Sequence, residues 1–172
     1  YGTEEQKQKY LPGCVSGEWV TAIAMSEPAA GSDLQGIKTT ATRTEKGWVL
    51  NGSKTFITNG QHANLIIVVA KTDPKAGAKG TSLFLVGTDN VEGFERGRNL
   101  EKIGMKAQDT SELFFNGVEL PEDALLGGEN RGFIYLMEEL PQERLSVACN
   151  AIASAEAALG WTRDYVVERK AF

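Results

Sequence analysis

The chain has 172 residues, 41% apolar and 24% charged, with a formal net charge of -5. That is enough apolar mass for an ordinary globular core, and the charge argues against a nucleic-acid-binding surface. Cys14 and Cys149 stand far apart beside a single histidine, His62, which leaves almost no room for a zinc site or a Cys/His nucleophile and points to reduced thiols rather than a disulfide.

In chain order, Thr3 followed by Gln6 forms a capping box and predicts a short helix from Glu4 to Tyr10, ended by Pro12-Gly13. From Trp19 to Leu120 the pattern is that of strands. Thr39 to Thr44 alternates, Glu45-Lys46-Gly47 turns the chain into Trp48 to Leu50, and Asn51-Gly52 predicts a tight hairpin into Lys54 to Thr58. Asn51-Gly52-Ser53 also fits a glycosylation sequon, but the hairpin is the better reading. Leu65 to Ala70 and Ser82 to Val86 are continuous apolar runs, expected of strands buried on both faces, with an exposed lysine-bearing loop, Asp73 to Gly80, between them. Glu112 to Phe115, Asn116-Gly117 and Val118 to Leu120 predict another hairpin. The expected fold is α+β: a central β-barrel or sandwich flanked by helices.

After Pro121 the pattern turns helical. Gly132 to Leu140 predicts a short helix interrupted at Pro141, and a long helix is expected from about Glu143 to the end. Leu145, Ile152, Leu159 and Val166 recur every seven residues with Ala148 and Ala155 between them, the seam of a helix bundle. One helix cannot bury such a seam alone. Tyr1 and Phe172 also fall inside what read as continuous elements, so the chain is expected to be a fragment. Its expected parts are the end of a helical domain (1–18), a β-domain (19–125) and the start of a helical bundle (126–172). No apolar run is long enough to span a membrane and no signal peptide is recognisable.

Two segments carry the chemistry. Ala24-Met25-Ser26-Glu27-Pro28-Ala29-Ala30-Gly31-Ser32-Asp33-Leu34-Gln35-Gly36 leaves an apolar strand and enters a loop of hydroxyls, acids and small residues, where backbone N–H groups can approach an anion or a heteroaromatic ring. Thr55-Phe56-Ile57-Thr58-Asn59-Gly60 places an aromatic two residues before a hydroxyl. No GxGxxG fingerprint is present, so a dinucleotide would be held in another way. Together with Lys102-Ile103-Gly104-Met105-Lys106-Ala107-Gln108-Asp109-Thr110, these segments resemble the acyl-CoA dehydrogenase family, most closely its long-chain branch, and the resemblance runs through essentially the whole chain. Gly104 and Gln108 could equally be plain loop residues.

The resemblance implies FAD as cofactor. Ile23, Met25 and Ser26 match residues that contact its isoalloxazine and ribityl parts, Ser32 one that approaches its phosphates and the acyl-CoA, and Phe56, Ile57 and Thr58 the segment packed on the flavin. Phe56 stands where relatives carry Trp, keeping the stacking face but losing the indole donor. Arg169 matches an arginine that reaches the FAD pyrophosphate of a neighbouring subunit, which implies a homo-oligomer, dimer or tetramer. For the acyl-CoA, Ala78 and Lys79 fall where relatives contact the CoA portion. Ile134 and Tyr135 fall along the acyl channel, and Pro141, Gln142 and Arg144 flank the expected base, Glu143.

The implied reaction is oxidation of an acyl-CoA to the trans-2-enoyl-CoA, a carboxylate removing the α-proton while a hydride passes to flavin N5. Electrons would leave to an electron-transferring flavoprotein, in a bacterial cytoplasm or mitochondrial matrix. Glu143 read without the resemblance is a first-turn acid complementing a helix dipole. An acyl-CoA oxidase-like flavoenzyme and a non-catalytic acyl-CoA-binding or assembly subunit are the competing readings.

Overall fold

A computed structural model describes all residues, 1–172. The chain divides into two units, 1–133 and 134–172. In the first, the capping box forms: Thr3 Oγ1 accepts from Gln6 N (3.2 Å) and Gln6 Oε1 accepts from Thr3 N (3.0 Å). Helix α1 then runs Glu4–Ser16, past the expected stop at Pro12-Gly13. Pro12 removes one donor, and Gly13 is put to use instead. Trp19 N donates to the Gly13 carbonyl (3.0 Å), and the Trp19 ring occupies the space of a Gly13 Cβ, whose ideal position lies 2.8 Å from Cδ1. The stop is Gly17, at φ 81. Gln6 Nε2, donating to the carbonyls of Asp123 (2.8 Å) and Leu125 (2.9 Å), fastens α1 to the sheet.

Eight strands follow: β1 (Thr21–Ala24), β2 (Thr40–Thr44), β3 (Gly47–Thr58), β4 (Leu65–Lys71), β5 (Thr81–Gly87), β6 (Phe94–Asn99), β7 (Thr110–Pro121) and β8 (Leu125–Leu126). They form one mixed sheet in the order β6-β7-β3-β2-β4-β5-β8. The end strands β6 and β8 pair only with β7 and β5, so the expected barrel is not closed. The sheet is nonetheless strongly curled. The rings of Trp48 on β3 and Phe84 on β5 meet edge to face at 5.2 Å, whereas strands three places apart in a flat sheet would lie about 14 Å apart. Buried Leu50, Ile66, Val68, Val86, Leu113, Phe115 and Val118 share that core. As expected, β4 and β5 are buried along almost their whole length.

Neither Asn-Gly pair makes a hairpin. β3 and β7 are continuous 12-residue strands paired with each other. Their register shifts between Leu50↔Val118 and Asn51↔Asn116, which leaves Gly117 as an extra residue at φ 70 with its N–H on Asn51 Oδ1 (2.8 Å). Gly52, at φ 149, lies against Thr39. The two Asn-Gly pairs therefore face each other across one bulge, where a turn-residue rule reads two turns.

β1 and β2 share one edge of β4, both parallel to it: β1 from Thr21↔Leu65 to Ala24↔Val68, β2 further on at Thr40↔Lys71. Residues 25–39 leave the sheet at the gap between them.

The second unit is the body of helix α2, Gly132–Glu168, which continues through Pro141 without a break. The expected interruption is absent; Pro141 forfeits its hydrogen bond to the Met137 carbonyl and the helix carries on. Glu143 therefore lies well inside the helix, and the reading of it as a first-turn acid is overturned. Leu145, Ile152, Leu159 and Val166 are exposed. No helix is long and apolar enough to cross a membrane, and both cysteines are free.

Gly52→Ala should lower stability by about 2–3 kcal/mol, because its Cβ would lie 2.7 Å from the Thr39 Cα, which cannot yield. Gly117→Ala, with no atom within 4 Å of the new Cβ, should cost only the left-handed backbone term of about 1–2 kcal/mol. Denaturant melts of the two variants check the order.

Candidate functional site

Along β1 the side chains alternate: Ala22 and Ala24 point into the core while Thr21 and Ile23 face outward. On β3, pairing with β7 is lost between Lys54↔Leu113 and Ile57↔Ser111, so Thr55 and Phe56 oppose Glu112 alone. This second bulge puts Phe56 at φ 59 and leaves the residue 68% exposed. A phenylalanine in the left-handed region is strained, and such strain clusters at binding and catalytic positions.

The two features bound one groove of about 480 Å³, lined by Thr21, Ala22, Ile23, Met25, Ser26, Phe56, Ile57, Thr58, Asn59 and Ile67. Six of the expected site residues are thus brought together. Ile57 turns its side chain into the core, 2% exposed, so it offers the groove its main chain. A hollow of about 520 Å³ by the β2–β3 turn, lined by Thr44, Glu45, Lys46 and Trp48 among others, gathers none of them.

Under the groove lies an ion pair that the motif does not announce. Lys54, fully buried, donates to Glu27 Oε1 (2.9 Å) and to the Met25 carbonyl (3.0 Å). Glu27 also accepts from Lys38 N on Oε2 (2.7 Å) and from Thr39 N on Oε1 (3.0 Å). Next to it, Thr55 N donates to the Ser26 carbonyl (2.9 Å). Burial drives the Lys54 pKa down to about 8 against the opposing pull of Glu27. For Glu27, burial acts upward, but the hydrogen bonds it receives and the Lys54 charge hold it below the ordinary carboxylate value. A lysine in an otherwise strand-like run was the one sequence signal for this pair.

Beyond β3, Asn59 (φ 63) donates to the Thr21 carbonyl (3.0 Å) and accepts from Gln108 Nε2 (2.8 Å). Gln108 is therefore tied to the groove, not a plain loop residue. Asp109 accepts from Gln61 N (2.7 Å), and Arg96 donates to the carbonyls of Gly60 (3.2 Å) and Ala63 (2.9 Å). These polar residues hold the turn after Thr58; Asn59, Gln108 and Asp109 fall in segments the sequence singles out, whereas nothing in their spacing marks out Gln61 and Arg96.

The remaining expected residues lie elsewhere. Ser32 is exposed beyond a tight turn in which Glu27 and Ala30 exchange backbone hydrogen bonds (2.9 and 3.0 Å). Ala78 and Lys79 sit on the short helical turn Gly77–Gly80, which touches the similar turn Leu34–Gly36. Lys71 lies beneath, donating to the Gly77 carbonyl and Thr81 Oγ1, with its pKa lowered by burial. Ile134, Tyr135, Pro141, Gln142, Glu143 and Arg144 are on α2 in the second unit. Arg169 lies just past its end and donates to Tyr165 Oη (2.6 Å).

The pair makes stability pH-dependent in two directions. Glu27, lowered in the fold, contributes fully above its ordinary 4.5 and loses that contribution as pH falls through its folded-state value. Lys54, lowered to about 8, burdens the fold with a buried charge below that pH, and the burden lifts as pH rises from about 8 toward 10.5. Thermal melts from pH 3 to 10 should show the wild-type advantage over Glu27→Gln shrinking below pH 4.5.

Residues 22–118 match the family model of the acyl-CoA dehydrogenase middle domain, and residues 130–172 that of the acyl-CoA dehydrogenase C-terminal domain. The chain is 57% identical to the mitochondrial long-chain specific acyl-CoA dehydrogenase of Mus musculus, covering 100% of this chain and 40% of the relative. It is 46% identical to the mitochondrial isovaleryl-CoA dehydrogenase of Solanum tuberosum, covering 99% and 41%. The crystal structure of an acyl-CoA dehydrogenase from Geobacillus kaustophilus superposes with a TM-score of 0.95 at 56% identity, covering 100% of this chain and 46% of that one. The chain thus spans under half the length of these relatives. With both family models matched in order along one sequence, it belongs to the acyl-CoA dehydrogenase family.

Proposed function

We propose that this chain supplies the flavin-facing part of an FAD-dependent acyl-CoA dehydrogenase that converts a saturated acyl-CoA to its trans-2-enoyl thioester. The observation that carries the reading is the groove: Ile23, Met25, Ser26, Phe56 and Thr58, distant in sequence, line one cavity. The fit to the cofactor is chemical. A planar, mostly apolar ring system with a polar edge matches a groove with Ile23, Met25, Phe56 and Ile67 for its faces and the Ser26 and Thr58 hydroxyls for its edge. FAD, when bound, supplies the hydride acceptor.

The chain's own residues would do the rest. Phe56, held outward by its bulge, would offer its face to the ring system. Thr58 and Ser26 would orient the polar edge, and Ile57 would do so through its main chain. Ser32, Ala78 and Lys79, on neighbouring turns, would meet the phosphate and CoA portions. In the second unit, Glu143 would take the α-proton onto its carboxylate, with Ile134, Tyr135, Pro141, Gln142 and Arg144 along the acyl group, and Arg169 would reach the pyrophosphate of a neighbouring subunit.

On this reading the exposed seam of α2 packs against further helices of a longer protein, residues 1–18 end a preceding helical domain, and the assembly is a homo-oligomer. Electrons would pass to an electron-transferring flavoprotein during fatty-acid oxidation, in a mitochondrial matrix or a bacterial cytoplasm.

In the full-length protein, Glu143→Gln should bind FAD and acyl-CoA but lose about 10²–10⁴-fold in the rate of anaerobic flavin bleaching. Bleaching at the wild-type rate would place the base elsewhere. Phe56→Ala should weaken FAD binding by about 0.5–1.5 kcal/mol, the worth of an aromatic contact, as read by equilibrium titration of the apoprotein.

A further inference from the structure

We propose that Lys54 is a positioning residue for the cofactor groove: from beneath, its ammonium pins the Met25 carbonyl and so fixes the peptide wall that faces the flavin. The proposal rests on the flavin reading above and extends it to a residue outside the groove.

Three consecutive residues of β3 divide the work. Lys54 donates to the Met25 carbonyl (3.0 Å), Thr55 N donates to the Ser26 carbonyl (2.9 Å), and Phe56 turns outward at φ 59. Thr55 and Phe56 have no counterparts in the ladder to β7; the Thr55 N–H goes to the Ser26 carbonyl instead, while Lys54, still paired with Leu113, reaches Met25 through its side chain. These two hydrogen bonds join the walls at the 25–26 end of the groove, as Asn59 on the Thr21 carbonyl does at the other. A trans peptide directs its N–H opposite to its C=O. With the Met25 carbonyl turned down onto a fully buried ammonium, the Ser26 N–H is turned toward the groove, where it can donate to an acceptor at the ring edge. Glu27 completes the device by balancing the charge and receiving Lys38 N and Thr39 N, so Lys54 cannot shift without moving both ends of the 25–39 loop.

The test uses the full-length protein, titrated with FAD after removal of bound flavin, and the visible circular dichroism of the flavin at saturation. Lys54→Met with Glu27→Gln removes both charges while keeping shape, so no unpaired buried ion remains. Lys54→Gln, a donor too short to reach Met25, gives a second series should the double variant fail to fold. Val118→Ala, a core change on β7 away from the groove, controls for lost stability.

The expected result is an FAD dissociation constant raised at least about tenfold, with an altered flavin dichroism at saturation, in the Lys54 variants but not in Val118→Ala. Wild-type affinity and dichroism in the Lys54 variants, or equal losses in Val118→Ala at matched stability, would overturn the role of Lys54 and leave the flavin reading intact. A wild-type protein that takes up no FAD would remove both.

Discussion

The buried contact between Lys54 and Glu27 is the constraint on which the groove depends. A lysine with no exposed surface is costly to bury, and it persists because its donors meet a carboxylate and a carbonyl at hydrogen-bond distance. Glu27, in turn, receives two backbone N–H groups from the point where the chain re-enters the sheet. The pair thus clamps the beginning and the end of the 25–39 loop to the same strand. Thr39 passes the restraint on, its carbonyl accepting from Lys71 N (2.7 Å) on β4. Small residues that allow close approach to a ligand also make a loop floppy, and this clamp supplies the missing rigidity.

Around the clamp, the sheet departs from regularity where departures are useful. Gly117 and Gly52 admit one bulge between β3 and β7, which adds twist and helps the sheet curl until Trp48 meets Phe84. A second bulge buries Lys54 and Thr55 in succession, and beyond it Phe56, at positive φ, and Thr58 are exposed on either side of buried Ile57. Register then does the rest: β1 ends at Ala24 beside Val68, so residues 25 and 26 emerge from the sheet next to Phe56.

Much of this was legible in the sequence. The capping box and the doubly buried β4 and β5 could be read from residue types alone, because each reflects local hydrogen bonding or the period of burial, whereas the two groove segments were picked out together by their resemblance to a family. The proline and glycine signals misled. Pro12 and Pro141 lie within helices, and Asn51-Gly52 and Asn116-Gly117 lie within strands. Each of these residues has a local preference worth one or a few kcal/mol. Packing partners outside the local window, such as Trp19 over Gly13 and Thr39 beside Gly52, override it.

By itself, the sequence determined the family and the two segments that meet at the groove, since both are written in contiguous residues whose chemistry does not depend on their neighbours in space. Only the tertiary structure decided that Lys54 lies beneath those segments, that Ile57 faces the core and that Gln108 and Asn59 are joined. These are pairings between residues from 27 to 49 positions apart or burial states set by register. No local preference encodes them, because a buried charge or amide declares its partner only when the strands have closed around it.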